Sequence, residues 1–188
     1  MNEHRRRFLT GCGLVLAGAA GSRLLPGLEL LSTAAEQDEP GVEARLRELK
    51  IELPAPTRSK NTLAMSVRVG DLLYVSGHGP SGVVGKVGRD LDVKQGQEAA
   101  RNVGLRVLST VKDALGSLDK VVRLVKTLGM VNATADFKDQ PAVVNGFSNL
   151  MVEVFGEQKG KGTRSAVGMG SLPGGIPIEV ETVWQVKG

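Results

Sequence analysis

Apolar residues recur every three to four positions in two long stretches, which is the spacing of an amphipathic helix. The first stretch follows Asp92, a residue type that caps helices, and stops at Gly116. The second begins near Pro141 and stops at Gly156, and residues 39–53 predict a third, shorter helix. The apolar positions of the two long helices are Ala99, Val103, Val107, Val111 and Leu115, and then Val144, Phe147, Met151 and Phe155.

Five other segments are rich in β-branched residues or alternate between apolar and polar positions, and they predict strands. Gly70-Asp71 lies between the first two and is a hairpin turn signal. The predicted strands cover residues 63–69, 72–76, 121–131, 163–170 and 176–186. The order ββαβαββ in one short chain predicts an α+β fold, in which both long helices pack on one face of a mixed sheet.

The first 35 residues have the pattern of an export signal. Three consecutive arginines, Arg5 to Arg7, precede a modest apolar stretch at 14–20 and small residues at 32–35. The arginine block resembles a twin-arginine signal, so we expect a periplasmic or otherwise exported protein with no stable membrane insertion after signal removal. The alternative is a basic tail on a cytosolic protein. Lipidation at Cys12 is disfavoured because too few apolar residues precede it.

Charge and composition narrow the chemistry of the remaining chain. The formal net charge is +4, but residues 1–35 hold four arginines against two glutamates, which leaves a nearly neutral body. This balance gives no electrostatic reason to expect nucleic acid as a partner. Cys12 is the sole cysteine, and His78 is the sole histidine after residue 35. These counts exclude an intramolecular disulfide and a Cys/His zinc site. A catalytic Ser-His pair is possible only if His78 is its base.

Three sequence blocks resemble the Rid (reactive intermediate deaminase, YjgF-like) family. Residues 70–77, GDLLYVSG, resemble its opening strand block, and Asp136-Phe137 with Asn145 fits its second helix region. The C-terminal signature is matched with its spacing by Arg164-Ser165-Ala166-Val167, Leu172-Pro173 and Ile178-Glu179-Val180-Glu181. The resemblance covers about residues 60–186, so we divide the chain into a signal (1–35), a short helix with a linker (36–59) and a domain (60–188).

The resemblance implies a chorismate-mutase-like fold and a homotrimer with three sites in the clefts between subunits. The implied reaction is hydrolysis of an enamine or imine of an amino acid to a 2-oxo acid and ammonia. Arg164 matches the family arginine, and its guanidinium would hold the substrate carboxylate with two parallel hydrogen bonds. Glu179 matches the glutamate that orients the attacking water, a contribution of about 10²–10⁴-fold. No metal or organic cofactor is expected, because the imine carbon is already electrophilic.

Four further residues complete the expected site. The expected substrate-binding residues are Gly77, His78, Asn145 and Ser165. Three of the site residues have a structural alternative: a loop role for His78, a helix-surface role for Asn145, and a surface ion pair for Arg164. Glu179 and Glu181 alternate with apolar residues, so both lie on one face of the sheet, and a solvated face is their alternative role.

One departure from the family pattern leaves the activity open. Leu63 stands where active deaminases carry a tyrosine that packs over the substrate, so the site lacks a hydroxyl and an aromatic face. A non-catalytic homotrimer that binds small carboxylates is therefore the first alternative. An endoribonuclease is the second, and the nearly neutral charge, the 3% aromatic content and the lack of a second histidine argue against it.

Overall fold

A five-stranded mixed sheet carries two long helices on one face, in the strand order β1-β2-β5-β3-β4. The computed structural model describes residues 41–59 and 62–188. The strands are β1 (Ser66–Val69), β2 (Leu72–His78), β3 (Val121–Asn132), β4 (Thr163–Met169) and β5 (Ile178–Val186), and the helices are α1 (Val42–Glu48), α2 (Val93–Leu115) and α3 (Gln140–Gly160). The predicted α+β fold is confirmed. The predicted signal, residues 1–35, lies outside the described residues and stays a prediction.

Chain direction in the sheet follows from the connections between strands. β1 and β2 form a hairpin whose turn places Gly70 at φ 58°, a conformation that glycine adopts without strain. β3 and β4 run parallel, because α3 carries the chain back across one face before β4 begins. β5 pairs antiparallel with both β2 and β3 and is therefore the central strand.

The predicted helix boundaries are confirmed at α2 and differ at α1 and α3. Asp92 and Gln95 form a capping box at the start of α2, and Gly116 ends this helix at φ 80°. α1 is shorter than predicted, because Lys50 adopts φ 54° and closes the helix. Gly156 stops the continuous helical geometry of α3 at φ 76°, as predicted, and one further turn, which was not predicted, follows to Gly160.

The core lies between the sheet and the pair of long helices. α2 and α3 cross closely, because Gly104 and Gly146 replace side chains at their contact. The largest side chains that are fully buried are Trp184, Phe147, Leu108, Leu118, Leu150, Met151 and Ile178. None of the described helices combines the length and the apolar composition needed to cross a membrane.

The opposite face of the sheet, here called the outer face, is largely open in the single chain. Val67 and Tyr74 are paired neighbours on β1 and β2 and are 51% and 47% exposed. Val167 on β4 lies on the same face, as do Leu128 and Met130 of β3 by strand alternation. This face is therefore rich in apolar side chains that nothing in the described part of the chain covers fully.

Candidate functional site

Arg164 lies near the start of β4, the edge strand, and its side chain extends toward α3. Its Nη1 donates to Asn145 Oδ1 at 2.8 Å and to Ser148 Oγ at 3.1 Å. Both acceptors are neutral, and Arg164 forms no salt bridge with any residue in 41–59 or 62–188. The guanidinium is thus held in place while its positive charge and its Nη2 and Nε donors stay available to an anion.

Glu179 lies near the start of β5 on the outer face, against the main chain of Gly77. A β-carbon at position 77 would collide with the carboxylate of Glu179, so any larger residue there would force that side chain to move. Burial raises the pKa of Glu179 above its ordinary value, and repulsion from the carboxylate of Glu181 adds to the effect. The carboxyl is therefore suited to exchange a proton at a higher pH than an exposed glutamate.

Strand register places Arg164 and Glu179 on opposite faces of the sheet. Arg164 pairs with Thr127 of β3, and Glu179 pairs with Met130 of the same strand. Thr127 and Met130 are three positions apart with no bulge between them, so their side chains point to opposite faces. Within one chain, Arg164 therefore lies beside Asn145 and Glu179 lies beside Gly77, but these two pairs are on opposite faces of the sheet.

His78 is buried on the helix face, at 2% exposure, where it pairs with Val180 of β5. Its Nδ1 donates to the main-chain oxygen of Ser76 at 2.7 Å, and the hydroxyl of Thr110 lies 2.8 Å from its Nε2. Burial is the main cause that lowers the pKa of His78, which favours the neutral ring. This geometry favours the structural role of His78 over contact with a substrate.

Ser165 and Leu63 are both exposed. Ser165 pairs with Leu128, which in turn pairs with Glu181, so these three residues form a row across the outer face. Leu63 precedes β1 and is 57% exposed. The side chain that stands in place of the family tyrosine is therefore free to contact a ligand or a second chain.

Ser148 is the residue that sequence reasoning missed. It accepts a hydrogen bond from the same guanidinium nitrogen as Asn145. The two residues are three positions apart on α3, so they share one side of that helix. That spacing, together with an arginine on the following strand, is the signal that identifies such a pair.

The described segments hold no cluster of three or more His, Cys, Asp or Glu side chains arranged for a metal ion.

Comparisons with known proteins place this geometry in context. Residues 55–186 match the family model described as Endoribonuclease L-PSP. Protein TCP17 of Trypanosoma cruzi is 41% identical over 151 residues, which are 78% of this chain and 94% of that protein. The structure of Atu1372 from Agrobacterium tumefaciens, a protein of unknown function, is 38% identical with a TM-score of 0.71 and covers 78% of this chain and 92% of that one. A Shewanella oneidensis structure with a provisional endoribonuclease name is 25% identical with a TM-score of 0.74, and covers 78% of this chain and 100% of that one.

Proposed function

The chain belongs to the Endoribonuclease L-PSP family, the YjgF/Rid family, and we propose that it hydrolyses enamine or imine intermediates of amino acids to 2-oxo acids and ammonia. The observation that carries this proposal is the state of Arg164. Asn145 and Ser148 hold its guanidinium through neutral acceptors, so no protein carboxylate bonds to it in the described residues. An amino-acid imine carries a carboxylate that fits this unpaired, oriented cation.

The proposed reaction needs a bound water and a group that moves its proton. Arg164 holds the substrate carboxylate while the water oxygen attacks the imine carbon and the C=N bond becomes a C–N single bond. Glu179 takes a proton from the water and delivers it to the nitrogen, which gives a tetrahedral intermediate with a hydroxyl and an amino group. Glu179 then moves the hydroxyl proton to the amino nitrogen, and the C–N bond breaks to release ammonia as the C=O bond forms. The raised pKa of Glu179 supports this role, because a carboxylate with a higher pKa is a stronger base and takes the proton of the water more readily.

We further propose that each site contains residues of two chains. Arg164 and Glu179 lie on opposite faces of one sheet, so a site with both needs the arginine of one chain and the glutamate of another. Val67, Tyr74 and Val167 leave an apolar outer face that a second copy of the chain would cover. A closed homotrimer in which this face packs between neighbours would supply three equal composite sites.

The test of the activity uses purified chain and imines generated in place by an amino-acid oxidase. We expect release of 2-oxo acid to exceed the rate in buffer, and the Arg164→Ala and Glu179→Gln variants to lose the acceleration. Arg58→Ala is the matched control, because Arg58 lies at the surface, where it pairs with Asp113 while its side chain stays 72% exposed. A wild-type rate equal to that of buffer alone refutes the hydrolase.

Mixed assemblies test the composite site separately. Arg164→Ala and Glu179→Gln chains carrying different tags are co-expressed, and trimers that contain both are isolated with the two tags. One of the three interfaces then combines an intact arginine with an intact glutamate, so about one third of the wild-type activity should return. If mixed trimers stay inactive while wild type is active, both residues act within one chain and the composite site is wrong.

Leu63 favours a second function, a non-catalytic homotrimer that binds small carboxylates. Its aliphatic side chain supplies neither the hydroxyl nor the ring of the family tyrosine, whereas the arginine that binds a carboxylate is retained. Saturable binding of 2-oxo acids by calorimetry, lost in Arg164→Ala and accompanied by no imine hydrolysis, would support binding alone. Hydrolysis that is lost in the same variant would support the enzyme.

Export to the periplasm remains part of the proposal, since the predicted signal contains Arg5, Arg6 and Arg7 ahead of an apolar stretch. We expect a tagged full-length chain to be recovered outside the cytoplasm of a bacterial host with a twin-arginine system. Replacement of the three arginines by lysine should retain the chain inside. Equal recovery of both chains outside the cytoplasm would contradict a twin-arginine route.

A further inference from the structure

A cavity of about 640 Å³ opens at the carboxyl ends of the parallel strands β3 and β4, beside the start of α3. Residues that line it include Lys86, Thr134, Phe137, Gln140, Gly168 and Met169. It lies at the opposite end of β4 from Arg164, about 13 Å along the strand at the usual rise per residue. The cavity is therefore separate from the residues of the proposed catalytic site. Crevices outside the carboxyl ends of parallel strands are common ligand sites in proteins.

Lys86 is the one charged side chain among the lining residues, and the structure holds its ammonium in a defined position. Its Nζ donates to Asn132 Oδ1 at 2.7 Å, to the main-chain oxygen of Gly170 at 2.7 Å and to that of Ala133 at 3.3 Å. All three acceptors are neutral, so they orient the ammonium without cancelling its charge. The bond to Ala133 is the longest, and it is the one that an incoming anion would replace at least cost.

No carboxylate forms a direct ion pair with Lys86 in the described residues, although its charge attracts the carboxylate of Asp90 at longer range. The carboxylate of Asp90 binds the guanidinium of Arg89 and the main-chain N–H of Lys86, and these bonds lower its pKa to about 2. Asp136 accepts a hydrogen bond from Thr134, which holds its pKa below the usual range. Lys86 forms no salt bridge within the described parts of the chain. A half-buried ammonium that bonds only neutral oxygens can accept the direct contact of an external anion.

The remaining walls of the cavity are apolar or neutral. Phe137, Met169 and Ala135 supply apolar surface, and the side-chain nitrogen of Gln140 donates to the main-chain oxygen of Phe137 at 2.8 Å. Gly168 keeps the floor open, because a β-carbon there would lie 2.9 Å from the same nitrogen of Gln140. One cation beside a mostly apolar cavity of this size matches an organic anion that carries one charge on an apolar body.

We propose that this cavity is a second small-molecule site, which binds a small monocarboxylate through Lys86 and packs the apolar part of the ligand against Phe137 and Met169. One ammonium balances one carboxylate. A phosphate ester carries nearly two charges and would keep about one of them unpaired in the cavity. This second site is independent of the proposed hydrolase activity, because no residue that lines the cavity forms a hydrogen bond with Arg164 or Glu179 in the described residues.

The test is a titration of isotope-labelled full-length chain, followed by amide chemical shifts, with benzoate, benzamide and phenyl phosphate as probes. Benzoate should cause saturable shifts at the amides of Thr134, Gly168 and Gly170. Benzamide, which has the same shape without the charge, should bind at least about 10-fold more weakly. Phenyl phosphate should also bind more weakly than benzoate. Benzoate shifts that do not saturate, equal binding of benzamide, or tighter binding of phenyl phosphate would each overturn the proposal.

Variants separate this site from the rest of the protein. Lys86→Met should weaken benzoate binding by at least about 10-fold, and Lys138→Met, which removes an exposed lysine on the adjacent loop, should leave it unchanged. Ala135→Trp narrows the cavity without touching Lys86 and should also weaken binding, so the proposal stays testable if the Lys86 variant does not fold. Loss of the benzoate shifts in Arg164→Ala, with retention in Lys86→Met, would show that benzoate binds at the arginine and would sink the second site.

Discussion

Replacement of Arg164 by lysine keeps the positive charge and removes the planar fork, so it tests how the carboxylate is held. Nη1 is engaged by Asn145 and Ser148, which leaves Nη2 and Nε for two parallel bonds to the substrate. An ammonium in the same place offers one such bond. A hydrogen bond to a charged group contributes about 1.5–3 kcal/mol, and each 1.36 kcal/mol is about tenfold in rate. Arg164→Lys should therefore lower kcat/KM by about 10–100-fold.

The alanine variant at this position loses both bonds and the charge, so the expected loss in kcat/KM is larger, about 10²–10⁴-fold. The assay is the release of 2-oxo acid from imines generated by an amino-acid oxidase, with the Arg58→Ala variant as the control for a lost surface arginine. Asn145→Ala should fall between the control and the lysine variant, because Ser148 still holds the guanidinium. Wild-type kcat/KM in Arg164→Lys, together with a large loss in Arg164→Ala, would refute the bidentate geometry and leave charge alone as the requirement.

Three further predictions follow from pKa directions and from packing. Burial is the larger cause that raises the pKa of Glu179, and repulsion from Glu181 is the smaller one. Glu181→Gln should therefore move the acid limb of the pH profile of kcat/KM to lower pH. An acid limb that does not move would contradict the role of Glu179 as the base. Burial lowers the pKa of His78 from 6.5, so the folded state favours the neutral ring and the free energy of unfolding should fall as pH drops below 6.5. In His78→Gln, the free energy of unfolding measured with urea should depend less steeply on pH between about pH 7 and 5. An unchanged pH dependence would rule out His78 as its source. Gly146→Ala would drive a β-carbon into the main chain of α2 and should cost at least about 1–3 kcal/mol in denaturant unfolding, whereas Gly170→Ala, in open space, should stay within about 0.5 kcal/mol.

Local structure could be read from the sequence where local chemistry decides it. Asp92 and Gly116 bound α2 because a carboxylate caps main-chain N–H groups and glycine accepts a positive φ, and both effects act over a few residues. The alternation of Glu179 and Glu181 with apolar residues correctly placed both on one face of β5. Gly156 stops the helical geometry of α3 as predicted, but the turn that follows to Gly160 was not predicted.

The residue types of the candidate site were therefore set by the sequence, and their positions in space were not. Motif spacing identified Arg164, Asn145, Gly77 and Glu179, but it does not contain the register of β4 against β3 or of β3 against β5. A shift of one residue in either pairing would move a side chain to the other face, and packing of the whole core decides which register forms. Tertiary structure alone thus separated the arginine from the glutamate, brought Ser148 to the guanidinium, and placed Lys86 in the lining of the cavity at the carboxyl ends of β3 and β4.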